Sequence, residues 1–307
     1  MESSEATEKR LMEVLKAKGP LTGAQLLEHI KEEPLAIFRA CRLSKGIVMR
    51  IVGTRYLRLD RKIEGYSRLS PSILREFLTY SVIGLANDKT TMELKAEALQ
   101  GHIEKISRYK SDLAHNLVSA LVSRTGDDLF VKEHACFILA GDIVFNMAHD
   151  VPRPERSTKK MVQGSDIDIV VIVDNHFPED RIMRLDEEIF KEKYRLLINP
   201  YMKEEIDYII KDLDKAEEQM RFDTFKRMVA CKIMHEGAFL YGSEEIFTLV
   251  KDMLRKNGVI EKINHLEAQA RALREKAEEY IINEDPAKIR QEGLDFFYPT
   301  EESEEFE

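Results

Sequence analysis

Gly164-Ser165-Asp166-Ile167-Asp168-Ile169-Val170-Val171-Ile172-Val173-Asp174 is the stretch that decides the reading of this chain. The β-branched run from Ile167 to Val173 predicts a buried strand, bounded by Gly-Ser before it and Asp174-Asn175 after it. Residues two apart on a strand point the same way, about 6.6 Å apart at about 3.3 Å per residue. Asp166 and Asp168 therefore share a face, where like charges repel and burial penalises both. A divalent cation held between them removes that penalty, and metal-assisted phosphoryl or nucleotidyl transfer needs such a pair.

Working outward, the composition bounds the rest. The chain has 307 residues, 43% hydrophobic and 34% charged, enough for two domains with appendages. No apolar run reaches the roughly 20 residues of a membrane helix, and the acidic, polar start Met1-Glu2-Ser3-Ser4-Glu5 gives the expectation of no signal peptide. Three scattered cysteines, Cys41, Cys136 and Cys231, read as reduced core residues. A cytoplasmic location without membrane contact is the expectation. The eight histidines form no His-x-x-x-His or His/Cys cluster, so the sequence offers no zinc motif.

The net charge of −9 is uneven. Residues 1–62 hold 13 Lys/Arg against 8 Asp/Glu, a surplus of +5, which leaves −14 for the remainder. A basic head on an acidic body suggests contact with an anion such as nucleic acid, or docking of the head on the body.

Along the chain, residues 6–18 predict an amphipathic helix ended by Gly19-Pro20. Thr22 and Gln25 form a capping box for a helix over Gly23 to Ile30, and Pro34 opens a third helix with Leu35, Phe38 and Leu43 on one stripe. Ile47–Val52 and Tyr56–Leu59, joined by Gly53-Thr54-Arg55, read as a β-hairpin. Ser70-Pro71 reads as the start of a helix running towards Gly84. Helical spacing then persists from Thr90 to about Ser123, up to Gly126-Asp127-Asp128. Cys136–Ala140 is a short strand, and Gly141-Asp142 leads into a helix over Ile143 to Ala148. A polar loop carrying Arg153, Arg156, Lys159 and Lys160 precedes the aspartate strand.

Beyond it come a helix over 179–198, a strand containing Asp207, and a helix over 215–235. A short strand at 236–242 precedes a helix capped by Ser243. The apolar stripe of 259–282 suits packing on the body or pairing as a homo-oligomer, and the acidic run 299–307 reads as disordered.

Two resemblances follow from these residues. The first stretch resembles a winged helix-turn-helix, which would place Arg39, Arg42 and Lys45 on or beside the third helix and Arg50, Arg55 and Arg58 on the wing, for DNA or for protein contacts. The order strand–Gly141, Asp166-Ile167-Asp168, Asp207, helix, Glu236-Gly237-Ala238-Phe239-Leu240-Tyr241-Gly242 resembles the DNA polymerase β-like nucleotidyltransferase superfamily, its minimal members in particular, over about Lys132 to Phe247. The resemblance implies that Asp166, Asp168 and Asp207 bind two Mg²⁺ (or Mn²⁺) and catalyse transfer of a nucleoside monophosphate from an NTP to a hydroxyl. It also matches Gly141 to the glycine beside the phosphates and Ser165 to the serine before the first aspartate.

Asp142 departs from the family pattern, which has Ser or Gly there. Either the 153–160 basic loop offsets it and holds phosphate or a polynucleotide, or Asp142 caps a helix. Lys226 and Lys232 are candidates for the triphosphate, though a solvated helix face also explains them.

The expected architecture is α+β. It comprises a winged helix (1–64), a helical connector (65–130), a nucleotidyltransferase domain with a short mixed sheet (131–250), a helical extension (251–298) and an acidic tail (299–307). The competing class is a DNA-binding regulator whose inactive nucleotidyltransferase-like domain senses a nucleotide; a third is an antitoxin-like or scaffold protein pairing through 259–282.

Overall fold

A computed structural model describes residues 2–126, 128–155, 157–293 and Phe297. Asp127, Arg156 and the acidic run 299–307 lie outside these residues. The described chain mixes helices with small sheets, as the α+β expectation has it.

In chain order the elements begin with α1 (Glu2–Lys18), β1 (Leu21–Thr22), α2 (Gly23–His29), α3 (Pro34–Leu43), β2 (Ile47–Ile51), β3 (Tyr56–Leu59), β4 (Ser67–Ser70), α4 (Ile73–Thr79) and β5 (Ser81–Leu85). Next come α5 (Lys89–Thr125), α6 (Asp128–His134), β6 (Ala135–Ala140), β7 (Pro152–Pro154), β8 (Met161–Gln163), β9 (Ile167–Val173) and α7 (Glu179–Ile198). The described chain continues with β10 (Ile206–Asp212), α8 (Leu213–Gln219), α9 (Phe225–Glu236), β11 (Ala238–Gly242), α10 (Glu244–Lys256) and α11 (Val259–Asn283).

The described elements fall into two units: residues 2–58, 67–102 and 267–293, and residues 59–66 and 103–266. The boundaries cut across those expected from sequence, because strands within 65–85 and the second half of α11 belong to the first unit.

In the first unit α1, α2 and α3 enclose a core of Leu11, Leu15, Leu26, Ile37 and Phe38, joined by Ala277 and Ile281 of α11. The Thr22–Gln25 capping box forms as expected. The expected hairpin of β2 and β3 does not. β2 pairs antiparallel with β5, giving the sheet order β1-β5-β2, while β3 pairs with β4. The expected helix from Ser70-Pro71 to Gly84 is also replaced. α4 starts only at Ile73, where the Ser72 hydroxyl accepts from the Arg75 amide, and the β-branched Val82-Ile83 pair continues as β5. Leu43 is exposed rather than part of the α3 stripe.

In the second unit the sheet order is β10-β9-β6-β11, with β10 parallel to β9 and the other pairs antiparallel. Strand alternation divides its residues between two faces. Ile167, Ile169, Val171 and Val173 pack with α5 and α7 through Leu117, Leu121, Leu185 and Ile189. The opposite face carries Asp168, Val170, Asp207, Ile209 and Lys211.

The expected helix over 215–235 breaks into α8 and α9 around Phe222, whose φ is +56°, and Thr224 recaps the chain by accepting from the Arg227 amide. The expected helix after Gly141 is a single 3-10 turn, Gly141–Phe145, closed by Asn146 in the left-handed region. The stripe on α11 is occupied by packing within the chain, since Ile263, Leu266, Ala270, Ala277 and Ile281 are all buried. No described helix is long and apolar enough to cross a membrane. The three cysteines are buried and unlinked, and burial pushes the Cys231 and Cys136 thiols up to about 12.

Candidate active site

β9 is buried along its whole length, so its first residues emerge at one end of the sheet with their direction set. Parallel pairing puts Asp207 opposite Asp168, and antiparallel pairing puts Ala140 opposite Asp168 on the other side. Two strands thus deliver Asp166, just before β9, Asp168 on β9 and Asp207 on β10 to one point, each with a carboxylate oxygen within 4.8 Å of the others. The donors are all oxygen, a set that suits a hard divalent cation such as Mg²⁺ or Mn²⁺. Asp168 is buried and the other two are half-buried, leaving one side accessible.

Gly141 is what lets Asp168 sit there. A Cβ at this position would lie 2.1 Å from Asp168 Oδ2, and the residue adopts φ +73°, which side chains rarely tolerate. Gly141→Ala is expected to displace the Asp168 carboxylate and weaken Mn²⁺ binding at least tenfold, measurable by calorimetry, with a fall in melting temperature from the strained backbone.

Two cations already face the cluster. Lys193 on α7 donates to Asp207 Oδ1 at 2.7 Å, reaching it because β10 is an edge strand. Arg153 on β7 donates through Nε to the Gly164 carbonyl at 2.8 Å, contacts Glu205 at 2.8 Å and approaches Asp166 to 3.5 Å. Burial works against the Arg153 charge, but Asp166, Glu205 and Asp207 more than restore it. Glu205 is pushed up to about 7 by burial, against the pull of Arg153 and with the added repulsion of Asp166 and Asp207.

The remaining expected residues distribute as follows. Asp142 is not a helix cap: the 3-10 turn is preceded by Ala140, and the Asp142 carboxylate accepts from the Ser165 hydroxyl at 2.8 Å. The same hydroxyl accepts from the His149 amide at 3.2 Å, so Ser165 clamps the 141–149 segment against the start of β9. The 153–160 segment is a hairpin of β7 and β8 rather than an open loop, with Lys159 and Lys160 exposed at its turn and Arg153 turned towards the acids. Lys232 is buried against Glu236 at 2.9 Å, whereas Lys226 is exposed.

Lys226 lines a cavity of about 390 Å³ between α8, α9 and the sheet, whose floor includes Val170 and Ile209. That residue pair lies two positions beyond Asp168 and Asp207 on the same face, so the cavity adjoins the acids. Lys211, Lys215, Arg61 and Arg227 also line it, against a single carboxylate, Glu218. Lys215 and Arg227 pair with Glu218. Lys211 and Lys226 have no carboxylate partner among the described residues. Lys211 is buried, donates to Gln219 Oε1 at 3.0 Å, and is brought down to about 8 by that burial.

In the first unit Arg42 and Lys45 are exposed at the end of α3. Arg39 donates to the Ile281 carbonyl. Arg55, expected on a wing, lies instead between Glu76 at 2.6 Å and Glu278 at 2.9 Å.

Sequence reading missed Lys193, Glu205 and Lys211. Lys211 was detectable in principle, as a lysine in phase with Asp207 on a strand with period two. Lys193 carries no such signal, because its reach depends on how α7 packs.

No protein-family model matches the chain, and no curated protein or solved structure is detectably similar to it.

Proposed function

We propose that this protein is a divalent-metal-dependent nucleotidyltransferase that moves a nucleoside monophosphate from an NTP to a hydroxyl acceptor, releasing pyrophosphate. The observation that carries the proposal is the convergence of Asp166, Asp168 and Asp207 from adjacent strands beside a cationic cavity. These three carboxylates would hold Mg²⁺, which when bound supplies electrostatic stabilisation of the transferring phosphoryl group. Asp207, on the edge strand, is placed to orient the acceptor hydroxyl and take its proton. Lys211 and Lys226 attract the polyphosphate into the cavity, and Lys193 and Arg153 hold the carboxylates apart from one another's repulsion. The experiment is incubation with each α-labelled NTP, Mn²⁺ and total RNA, protein or nucleotide acceptors. Label transfer that disappears in Asp207→Ala supports the reading, and no transfer from any NTP counts against it.

Lys211 makes the reading more specific. A buried lysine without a carboxylate partner penalises the folded state, in keeping with a group kept for an anionic ligand. Its shift from 10.5 to about 8 corresponds to roughly 3 kcal/mol at about 1.4 kcal/mol per unit. Lys211→Met should therefore raise the melting temperature while weakening ATP binding about tenfold. The sign with pH follows from the lowered value: the penalty is fully present below about 8 and fades as pH rises towards 10.5. The melting-temperature gap between variant and parent should narrow over that window.

A second reading is favoured by the first unit. Three helices with a sheet of order β1-β5-β2, in which β1 lies between α1 and α2, fit a winged helix whose wing is enlarged by residues 53–80. Arg42, Lys45 and Arg50 are then exposed basic residues available to nucleic acid, and the protein acts as a DNA-binding regulator whose second unit senses a nucleotide. Salt-dependent DNA binding weakened by Arg42→Ala, unchanged by Asp166→Ala and Asp168→Ala and without NTP turnover, distinguishes it.

A further inference from the structure

The far end of the nucleotidyltransferase-like sheet carries a second side-chain cluster with different donors. His134 ends α6 just before β6, and Asp174 follows β9 directly. Antiparallel pairing of Ala135 with Val173 sets these two residues side by side, and the Asp174 amide donates to the His134 carbonyl at 3.0 Å. The His176 amide then donates to Asp174 Oδ1 at 2.9 Å, a tight turn that brings the His176 ring back over the same carboxylate. As a result Asp174 Oδ2 lies 2.8 Å from His134 Nδ1 and 3.7 Å from His176 Nδ1. Ligand atoms of all three residues fall within 4.8 Å of one another.

We propose that His134, Asp174 and His176 form a binding site for a late first-row divalent metal of the Zn²⁺ class. Two imidazoles and one carboxylate are borderline donors, unlike the all-oxygen set of the aspartates, and favour Zn²⁺ or Co²⁺ over Mg²⁺. With metal–ligand bonds of about 2.0–2.2 Å, tetrahedral ligand atoms stand about 3.3–3.5 Å apart. The observed 2.8 and 3.7 Å separations bracket that spacing, so small side-chain rotations complete it. When His134 Nδ1 ligates, its Nε2–H faces Glu133 Oε2 at 3.9 Å, the outer carboxylate that often orients a ligating histidine. Three protein ligands at the solvent-open end of the sheet leave a coordination position for water.

The site stands apart from Asp166 and Asp168 by the length of β9, about 20 Å at about 3.3 Å per residue. The two can therefore be tested separately. Co²⁺ is the probe: it substitutes for Zn²⁺, and its visible bands are intense at a four- or five-coordinate site and weak at a six-coordinate one. Full-length protein, Asp168→Asn and His176→Ala are each titrated with Co²⁺ and then competed with Zn²⁺. His176 is 83% exposed, so its removal leaves the fold unharmed, which circular dichroism checks.

The expected result is one equivalent of Zn²⁺-displaceable Co²⁺ with visible bands retained in Asp168→Asn. In His176→Ala its affinity falls by more than the roughly 10–100-fold that losing an outer partner costs. Equal Co²⁺ affinity in His176→Ala and the parent overturns the proposal, as does absence of the bands in Asp168→Asn. In either case the His134–Asp174 contact is an ordinary hydrogen bond.

Discussion

Asp168→Asn is expected to reduce NTP-dependent label transfer at least about a hundredfold, since loss of even an outer-shell partner of a metal ligand costs about 10–100-fold. Asp168 is the buried member of the three acids and is the one braced by Gly141. Asparagine keeps its shape and removes its charge. The substitution also relieves repulsion from Asp166 and Asp207, so the melting temperature should hold or rise without metal. Stabilisation by Mn²⁺ should shrink in parallel, because a ligand stabilises only through its affinity for the folded state. Transfer within tenfold of the parent would sink the assignment of the acids.

The largest stability effect is expected at Glu76, in the first unit. Glu76 accepts from Arg55 at 2.6 and 2.7 Å and from Arg274 at 3.0 Å, with the Glu76 and Arg274 side chains both 6% exposed. Glu278 accepts from the same two arginines. Glu76→Ala leaves the Arg274 charge buried with one remaining carboxylate and should cost about 3–5 kcal/mol in urea unfolding. Glu76→Met with Arg274→Met should recover most of that loss, because a buried ion pair exchanged for apolar side chains is often nearly neutral. A double variant no more stable than Glu76→Ala alone would show that the arginine charge is not the source of the loss.

The same network explains why Arg55 was misplaced by sequence. A lysine- and arginine-rich segment with a surplus of +5 looks like a nucleic-acid surface, but two glutamates distant in sequence neutralise Arg55. Arg42 and Lys45 remain exposed, whereas Arg39 and Arg55 are engaged within the unit, so composition alone does not say which basic residues face solvent.

Elements governed by local patterning were legible. α7 spans the residues its periodicity implies, the Thr22–Gln25 box forms, and Ser243 caps α10 by accepting from the Ile246 amide. Elements whose form depends on a distant partner were not. β2 looks like half of a hairpin because Gly53-Thr54-Arg55 is a good turn, yet its partner is β5, about thirty residues later. The break between α8 and α9 is hidden because Ala216 and Met220, then Phe222, Phe225 and Val229, keep apolar residues three or four apart on both sides of it, although Phe222 takes a left-handed φ. The His134, Asp174 and His176 group is not legible in the sequence because its members are separated by 40 residues in one direction and two in the other.

By itself, the sequence determined the strand Ile167–Val173, the shared face of Asp166 and Asp168, and the helices that cover the sheet, because period and capping act over a few residues. Only the tertiary structure decided that Asp207 lies opposite Asp168, that Arg153 and Lys193 turn towards the acids, and that Lys211 is buried in the adjoining cavity. Strand register and helix packing set those distances, and both depend on apolar surfaces meeting across long stretches of chain.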